Sequence, residues 1–226
     1  FDNIFALHQD KEAWLWFGKK EEESGLFKFY PETGGFQQFK HQANDSNSLT
    51  NNVILDIAES SGGTNIWILT DDGVLNRFDK NKQTFTHYAS TDYPNFPAQA
   101  SIANFSKDDL LWLGSIEGHK ELKLTKFDTQ KEQAFSYTFS TLAKADSTLK
   151  ITGLLEGHKG DIWLGTASRA LVKYSPVKGE FQRFENETTK VKYLTFFNKE
   201  TKNLWVGTSK GVGIFNRIDS SFSNLK

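Results

Sequence analysis

One short motif recurs five times along the chain and limits its fold more than any other feature. The clearest copy is DIWLGT at residues 161–166. Five of the six tryptophans hold the same place in the motif and lie 51, 45, 51 and 42 residues apart: Trp16, Trp67, Trp112, Trp163 and Trp205. A period of about 40 to 50 residues is typical of propeller blades or solenoid units. The spacing therefore predicts five copies of one supersecondary unit.

Each copy contains four short apolar runs separated by turn residues, which is the pattern of consecutive antiparallel strands. We call these strands A to D. The repeat predicts an all-β fold, a β-propeller built of about five four-stranded antiparallel blades in a single domain spanning residues 1–226. The units cover about residues 1–50, 51–100, 101–150, 151–190 and 191–226. A closed five-bladed ring and a part of a larger propeller are both compatible with five units.

Strand B of each unit is a nearly continuous apolar run, which indicates burial on both faces. Trp163 is expected to fill the gap to one neighbouring blade, while Ile162 and Leu164 face the other. We therefore interpret the repeated tryptophans as blade core and not as ligand-stacking residues. The glycine that follows the motif in four copies permits close backbone approach or a bulge before the turn. Trp14 lies outside the repeat register and is expected to be partly exposed.

Charge and composition exclude several classes of function. Lys plus Arg number 27 against 28 for Asp plus Glu, a net charge of −1, so no overall field favours nucleic acid as a partner. The chain has no cysteine, which rules out disulfides and cysteine-ligated zinc. No apolar run reaches the length of about 18 residues that a membrane helix needs. Because the chain also has no methionine, flanking sequence is expected beyond it.

Two stretches of the second unit resemble a known repeat. Residues 48–59 (SLTNNVILDIAE) and 73–79 (GVLNRFD), followed by Phe85 and Tyr88, are similar to the two-component-regulator propeller repeat. That repeat is found in periplasmic sensor regions of bacterial hybrid histidine kinases and of some diguanylate cyclases. The resemblance implies a non-catalytic, ligand-sensing propeller in the periplasmic part of an inner-membrane protein, which relays ligand binding to a kinase or cyclase output. It also implies contact with a neighbouring propeller or juxtamembrane domain, and a dimer formed through the full-length receptor.

The loops at one end of the blades are the predicted ligand site. In a four-stranded meander the D to A and B to C connections emerge together, and these loops differ between the units. Aromatic rings beside a few polar groups suit a small molecule or an oligosaccharide. The predicted ligand-binding residues on this face are Asp72, Tyr93, Phe96, Glu117, His119, Arg169 and Lys210.

The sequence predicts no catalytic residue, metal site or cofactor. The five histidines show no metal-binding spacing, and Asp71-Asp72-Gly73 is interpreted as a turn and not as a calcium loop. Two alternatives to a sensor stay open. One is a carbohydrate-active propeller enzyme, either a hydrolase or a lyase, and the other is a scaffold for protein interaction.

Overall fold

The computed structural model describes residues 4–106, 110–118, 121–140, 150–157, 160–167, 170–185, 191–195, 202–208 and 210–224. The chain divides into two compact units. Unit 1 comprises Phe1–Leu113 and Leu124–Tyr137, and unit 2 comprises Gly114–Lys123 and Thr138–Lys226. No helix in the described ranges is long and apolar enough to cross a membrane.

Twenty strands in these ranges form five four-stranded sheets, and each sheet follows chain order from strand A to strand D. We call the sheets blades 1 to 5. Blade 1 contains β1 (Ile4–Gln9), β2 (Leu15–Lys19), β3 (Leu26–Tyr30) and β4 (Gly35–Phe39). Blade 2 contains β5 (Ile54–Glu59), β6 (Asn65–Thr70), β7 (Leu75–Asp79) and β8 (Thr84–Tyr88). Blade 3 contains β9 (Ala100–Phe105), β10 (Leu110–Glu117), β11 (Glu121–Asp128) and β12 (Gln133–Ser140).

The two remaining blades repeat the arrangement. Blade 4 contains β13 (Ile151–Glu156), β14 (Ile162–Thr166), β15 (Ala170–Ser175) and β16 (Glu180–Glu185). Blade 5 contains β17 (Val191–Thr195), β18 (Asn203–Thr208), β19 (Gly211–Asn216) and β20 (Ser221–Asn224). The predicted units of four consecutive strands are confirmed.

The repeated tryptophans form the core between blades. Trp16 is fully buried, and its ring lies 5.6 Å from Phe78 of blade 2 and 6.1 Å from Phe39 of its own blade. In unit 2, Trp163 packs against Phe215 of blade 5 at 5.5 Å, as predicted. Burying one such aromatic side chain contributes about 2 to 3 kcal/mol. The core interpretation is confirmed for four of the tryptophans, whereas Trp205 is half-buried.

The motif glycine of blade 1 allows the close approach predicted for it. A Cβ atom at Gly18 would overlap with the side chain of Ile54, which begins strand A of blade 2. Gly73 has a similar role in the turn between β6 and β7. Its φ is +80°, and a Cβ there would overlap with the carbonyl of Ala98. Any larger residue at position 18 would therefore push the two blades apart.

A basic residue on strand C lies opposite the tryptophan in three blades. The pairs are Trp16 with Lys28, Trp67 with Arg77, and Trp163 with Lys173. Lys28 is buried, and its Nζ atom lies 3.4 Å from the ring centre of Trp14. This burial lowers the pKa of Lys28. Trp14 is partly exposed, as predicted, and its role is to cover this ammonium group.

Candidate functional site

The loop that joins blades 2 and 3 is built around a small aromatic cluster. Tyr93 packs against Tyr88 at 5.2 Å and against Phe127 at 6.1 Å between ring centres. Phe96 lies 5.5 Å from Phe127 and is 4% exposed, so its ring belongs to the hydrophobic core. A backbone hydrogen bond of 3.1 Å from the amide of Phe96 to the carbonyl of Tyr93 tightens the loop. The core aromatics thus hold the Tyr93 ring in one place.

Glu132, in the turn between β11 and β12, fixes the polar side of the same loop. Its carboxylate accepts a hydrogen bond of 2.8 Å from the Tyr88 hydroxyl and one of 3.3 Å from the Tyr93 hydroxyl. The guanidinium of Arg77 lies 3.9 Å from the same carboxylate. Burial, with Glu132 adding to it, raises the pKa of both tyrosines. Both hydroxyls therefore stay protonated at neutral pH and act as donors.

These groups border a cleft of about 210 Å³. Seven residues line it: Tyr93, Pro94, Asn95, Glu132, Gln133, Ala134 and Phe135. Phe135 is 47% exposed, and the ammonium group of Lys126 lies 5.2 Å from the centre of its ring. The cleft combines apolar ring surfaces with two side-chain amides and one carboxylate. This chemistry suits a small polar molecule that has one apolar face.

The structure places some of the predicted site residues near one another and others elsewhere. Tyr93 and Phe96 are neighbours, with 6.5 Å between their ring centres. The Asp72 turn lies against the same loop through Gly73 and Ala98, which confirms that B to C and D to A connections meet in unit 1. Phe96, however, supports the loop from the core and does not face solvent, because the aromatic cluster covers it.

The remaining predicted residues have local roles or are not described. The Asp72 carboxylate accepts hydrogen bonds from the Thr70 hydroxyl at 2.6 Å and from the amide of Val74, which fixes the turn. In unit 2, Glu117 forms an ion pair of 2.8 Å with Lys123. The exposed Lys210 donates its backbone amide to Thr208 at 3.1 Å. His119 and Arg169 lie outside the described residues.

The sequence did not point to Glu132 and Phe135, which belong to the outer part of blade 3. In an untwisted meander the C to D turn lies at the opposite end of the blade from the return loop. Real strands twist, and the twist of blade 3 brings its C to D turn close to this loop. The same approach occurs one blade earlier, where the amide of Phe85 donates to the Asn47 side chain at 2.6 Å. The signal available in the sequence was the alternation of Phe135, Tyr137 and Phe139 with polar residues in β12.

A cluster of carboxylates between blades 1 and 2 is satisfied by the protein itself. Asp10, Glu12 and Glu59 offer oxygens within 4.8 Å of one another. The Lys80 ammonium lies 2.8 Å from Glu59 and 3.4 Å from Asp10, and it also contacts Glu12. Burial lowers the pKa of Lys80, but the hydrogen bonds to Glu12 and Glu59 and the negative charges of Asp10 and Glu59 together outweigh burial and raise the pKa overall. Lys80 is thus the cation of this cluster.

No protein-family model matches the sequence, and no curated protein matches it. Several solved structures, in contrast, are similar to this chain. The extracellular domain of a proposed hybrid two component system from B. thetaiotaomicron is 19% identical with a TM-score of 0.70, over 100% of this chain and 35% of that one. The extracellular domain of a proposed one component system from the same organism is 16% identical with a TM-score of 0.63, over 99% and 33%.

A third structure is a catalytically inactive virginiamycin B lyase from Staphylococcus aureus with quinupristin. It is 13% identical with a TM-score of 0.74, over 99% of this chain and 70% of that one. The likeness to these structures confirms the predicted β-propeller fold. Two of them come from the class of signalling proteins that the repeat resembles. The chain spans about a third of the length of both sensor structures.

Proposed function

We propose that this chain is a ligand-sensing propeller in the extracytoplasmic, periplasmic part of a membrane-bound signalling protein. The observation that carries the proposal is the cleft at Tyr93, Glu132 and Phe135. It is built from loop and outer-strand residues that differ between repeats, while the repeated residues pack the blades. The similar extracellular domains of bacterial signalling systems support the same role.

The ligand is a small polar molecule or an oligosaccharide. Its apolar face stacks on Phe135 and Tyr93, and its hydroxyl groups hydrogen-bond to Asn95, Gln133 and Glu132. The Tyr93 ring is already held by core aromatics and its hydroxyl by Glu132, so little side-chain freedom is lost on binding. Lys126 beside Phe135 and Arg77 beside Glu132 balance the acidic group, which favours a neutral ligand over a cation.

Binding at this cleft acts on two segments at once. The return loop leads into strand A of blade 3, and the Glu132 turn joins the two outer strands of the same blade. A ligand that bridges them favours one arrangement of blade 3 over others that the protein already visits. A juxtamembrane domain would pass this shift to a kinase or cyclase output.

The cleft suits binding better than catalysis. Glycoside hydrolysis commonly needs two carboxylates about 5 to 10 Å apart. Among the described residues that line the cleft, Glu132 is the single carboxylate, and it is already engaged by two tyrosines. The likeness to a lyase carries no weight for catalysis because one fold supports many functions. We therefore propose that the chain is not an enzyme.

The experiment is a signalling assay on the full-length protein with a panel of neutral oligosaccharides. We expect Phe135→Ala to raise the ligand concentration for half-maximal output at least tenfold while the maximal output is kept. Val177→Ala is the matched control, because Val177 is exposed and is not among the residues that line the cleft. A full-length protein without a membrane span or a signalling output would contradict the proposal. So would polysaccharide turnover that Glu132→Gln abolishes.

A further inference from the structure

A second cleft in unit 1 lies where the loop between blades 1 and 2 folds against β8. It holds about 410 Å³ and is lined by residues 41–46, residues 48–50 and His87, and we call it the histidine cleft. It shares no lining residue with the cleft at Tyr93. Among the described residues that line the histidine cleft, none is a lysine or an arginine, while Asp45 supplies a carboxylate. The permanent charge of this cleft is therefore negative.

The loop that forms the histidine cleft is held in place by its own residues. A bridge between His41 and Leu49 brings its two ends together. The Ser48 hydroxyl accepts a hydrogen bond of 2.9 Å from the backbone at the other end of the loop. The Asn47 side chain accepts the amide of Phe85 at 2.6 Å, which fastens the loop to β8. Compact loops of about 6 to 16 residues whose ends lie close are frequently functional, and a fixed loop loses little freedom on binding.

Each of the two histidines keeps one ring nitrogen free. His41 Nδ1 lies 2.7 Å from the carbonyl oxygen of Leu49, and His87 Nε2 lies 2.8 Å from that of Ser48. A carbonyl oxygen accepts and cannot donate, so both of these nitrogens are donors. The other ring nitrogens, Nε2 of His41 and Nδ1 of His87, have no hydrogen-bond partner in the part of the chain that the structure describes. In the neutral imidazole each of them is an acceptor in a fixed orientation.

Asp45 adds a third acceptor to the same cleft. Its Oδ1 atom accepts the amide of Asn47 at 2.8 Å in an Asx turn, and its Oδ2 atom has no partner within the described ranges. The three acceptors are not grouped like metal ligands. Among the described residues, the group of three whose ligand atoms lie within 4.8 Å of one another is Asp10, Glu12 and Glu59. Acceptors spread over a cleft of this size suit a molecule with several donors and not a single ion.

We propose that the histidine cleft binds a small primary amine that also carries hydroxyl groups. The ammonium group of the ligand pairs with the free oxygen of Asp45. Its hydroxyl groups donate to the free nitrogens of His41 and His87 and meet the polar wall at Gln42 and Asn44. The positive charge separates this ligand from the neutral ligand proposed for the other cleft. The inference does not depend on the proposed sensing function.

Isothermal titration of the protein with matched amines and alcohols tests the role of charge. The pairs are ethanolamine with ethylene glycol, serinol with glycerol, and glucamine with sorbitol, and the members of a pair differ by an ammonium group in place of a hydroxyl. We expect at least one amine to bind at least tenfold more tightly than its alcohol. Asp45→Asn should remove this difference, because it keeps the oxygen of the Asx turn and loses the charge.

The matched control is Glu32→Gln, which removes one exposed negative charge outside the histidine cleft and should keep the difference between amine and alcohol. Equal binding within every pair overturns the proposal. Binding of no amine, or the same effect from Asp45→Asn and Glu32→Gln, overturns it as well.

Two substitutions test the free ring nitrogens and leave the loop hydrogen bonds in place. His41→Asn keeps a side-chain donor near the position of Nδ1, and His87→Gln keeps one near that of Nε2. We expect each to weaken binding of the amine at least fivefold, with an unchanged thermal melting curve. Unchanged affinity in both variants overturns the proposal.

The imidazole signals of the unmodified protein give a second measurement that needs no variant. The chain has five histidines, so their nuclear magnetic resonance signals can be assigned one by one. We expect the amine to shift the signals of His41 and His87 and to leave that of His8, which does not line the cleft, in place. Shifts at neither cleft histidine, or shifts caused by Zn²⁺ and by none of the amines, overturn the proposal.

Discussion

Trp16 and Trp67 occupy the same position in consecutive blades and are both buried, but they differ in one hydrogen bond. The Trp16 indole donates to the Asp10 carboxylate at 2.7 Å. The Trp67 indole N–H is buried and has no hydrogen-bond partner among the described residues. The position that follows strand A is Asp10 in blade 1 and Ser60 in blade 2, which explains the difference.

Replacing each tryptophan with phenylalanine separates this bond from packing. Both substitutions remove the same part of an aromatic ring, so the loss of packing is similar in the two blades. Trp16→Phe also loses a bond to a charged group, which costs about 1.5 to 3 kcal/mol. Trp67→Phe instead removes an unpaired buried donor, which offsets about 1 to 2 kcal/mol of the packing loss. We expect Trp16→Phe to be the more destabilising by about 3 kcal/mol.

The assay is urea denaturation followed by far-ultraviolet circular dichroism, with both variants at one protein concentration. The difference corresponds to about 6 to 12 °C in Tm for a chain of this size. In an Asp10→Ala background, the cost of Trp16→Phe should fall to that of Trp67→Phe, because the bond is already absent. Equal costs in the native background, or a larger cost for Trp67→Phe, would refute this reasoning.

Three further perturbations test other parts of the fold. Burial raises the pKa of Asp56 to about 6, so the native state binds the proton more tightly than the unfolded chain, and the free energy of unfolding should fall by about 2 kcal/mol as pH rises from 4 to 7. Urea titration at each pH measures this loss, which should disappear in Asp56→Asn. Lys80→Met leaves three carboxylates without their shared cation and should lower the free energy of unfolding by about 3 to 5 kcal/mol, measured by urea titration. The control Lys82→Met, at an exposed position, should lower it by less than about 0.5 kcal/mol. Gly18→Ala should cost about 1 to 3 kcal/mol because its Cβ overlaps with Ile54, and Ile54→Ala in the same chain should make the further cost of the alanine small.

The sequence was sufficient to predict the blades because their packing repeats. Trp163 and the apolar residues beside it require burial on both faces, and stacked four-stranded sheets meet that requirement. The burial of Phe96 was not predictable from its loop position, because it depends on Phe127 of the next blade.

The cleft was predicted only in part. Tyr93 stood out as an aromatic residue in a connection, and the structure places it at the cleft. Glu132 and Phe135 reach the same place through the twist of blade 3, and twist leaves no local pattern in a sequence. The basic residues opposite the tryptophans were missed for a similar reason, since Lys28 and Trp14 meet only once β2 and β3 pair.

Repeated residues pack the blades, and we propose that the cleft beside Tyr93 binds the ligand. Isothermal titration of the 226-residue chain with a panel of neutral oligosaccharides tests it most directly, on the native chain and on Phe135→Ala and Val177→Ala. We predict saturable binding that Phe135→Ala weakens at least tenfold, or about 1.4 kcal/mol, and that Val177→Ala leaves unchanged. Binding of a panel member that is equally strong in all three proteins, or no binding across the panel, would contradict it.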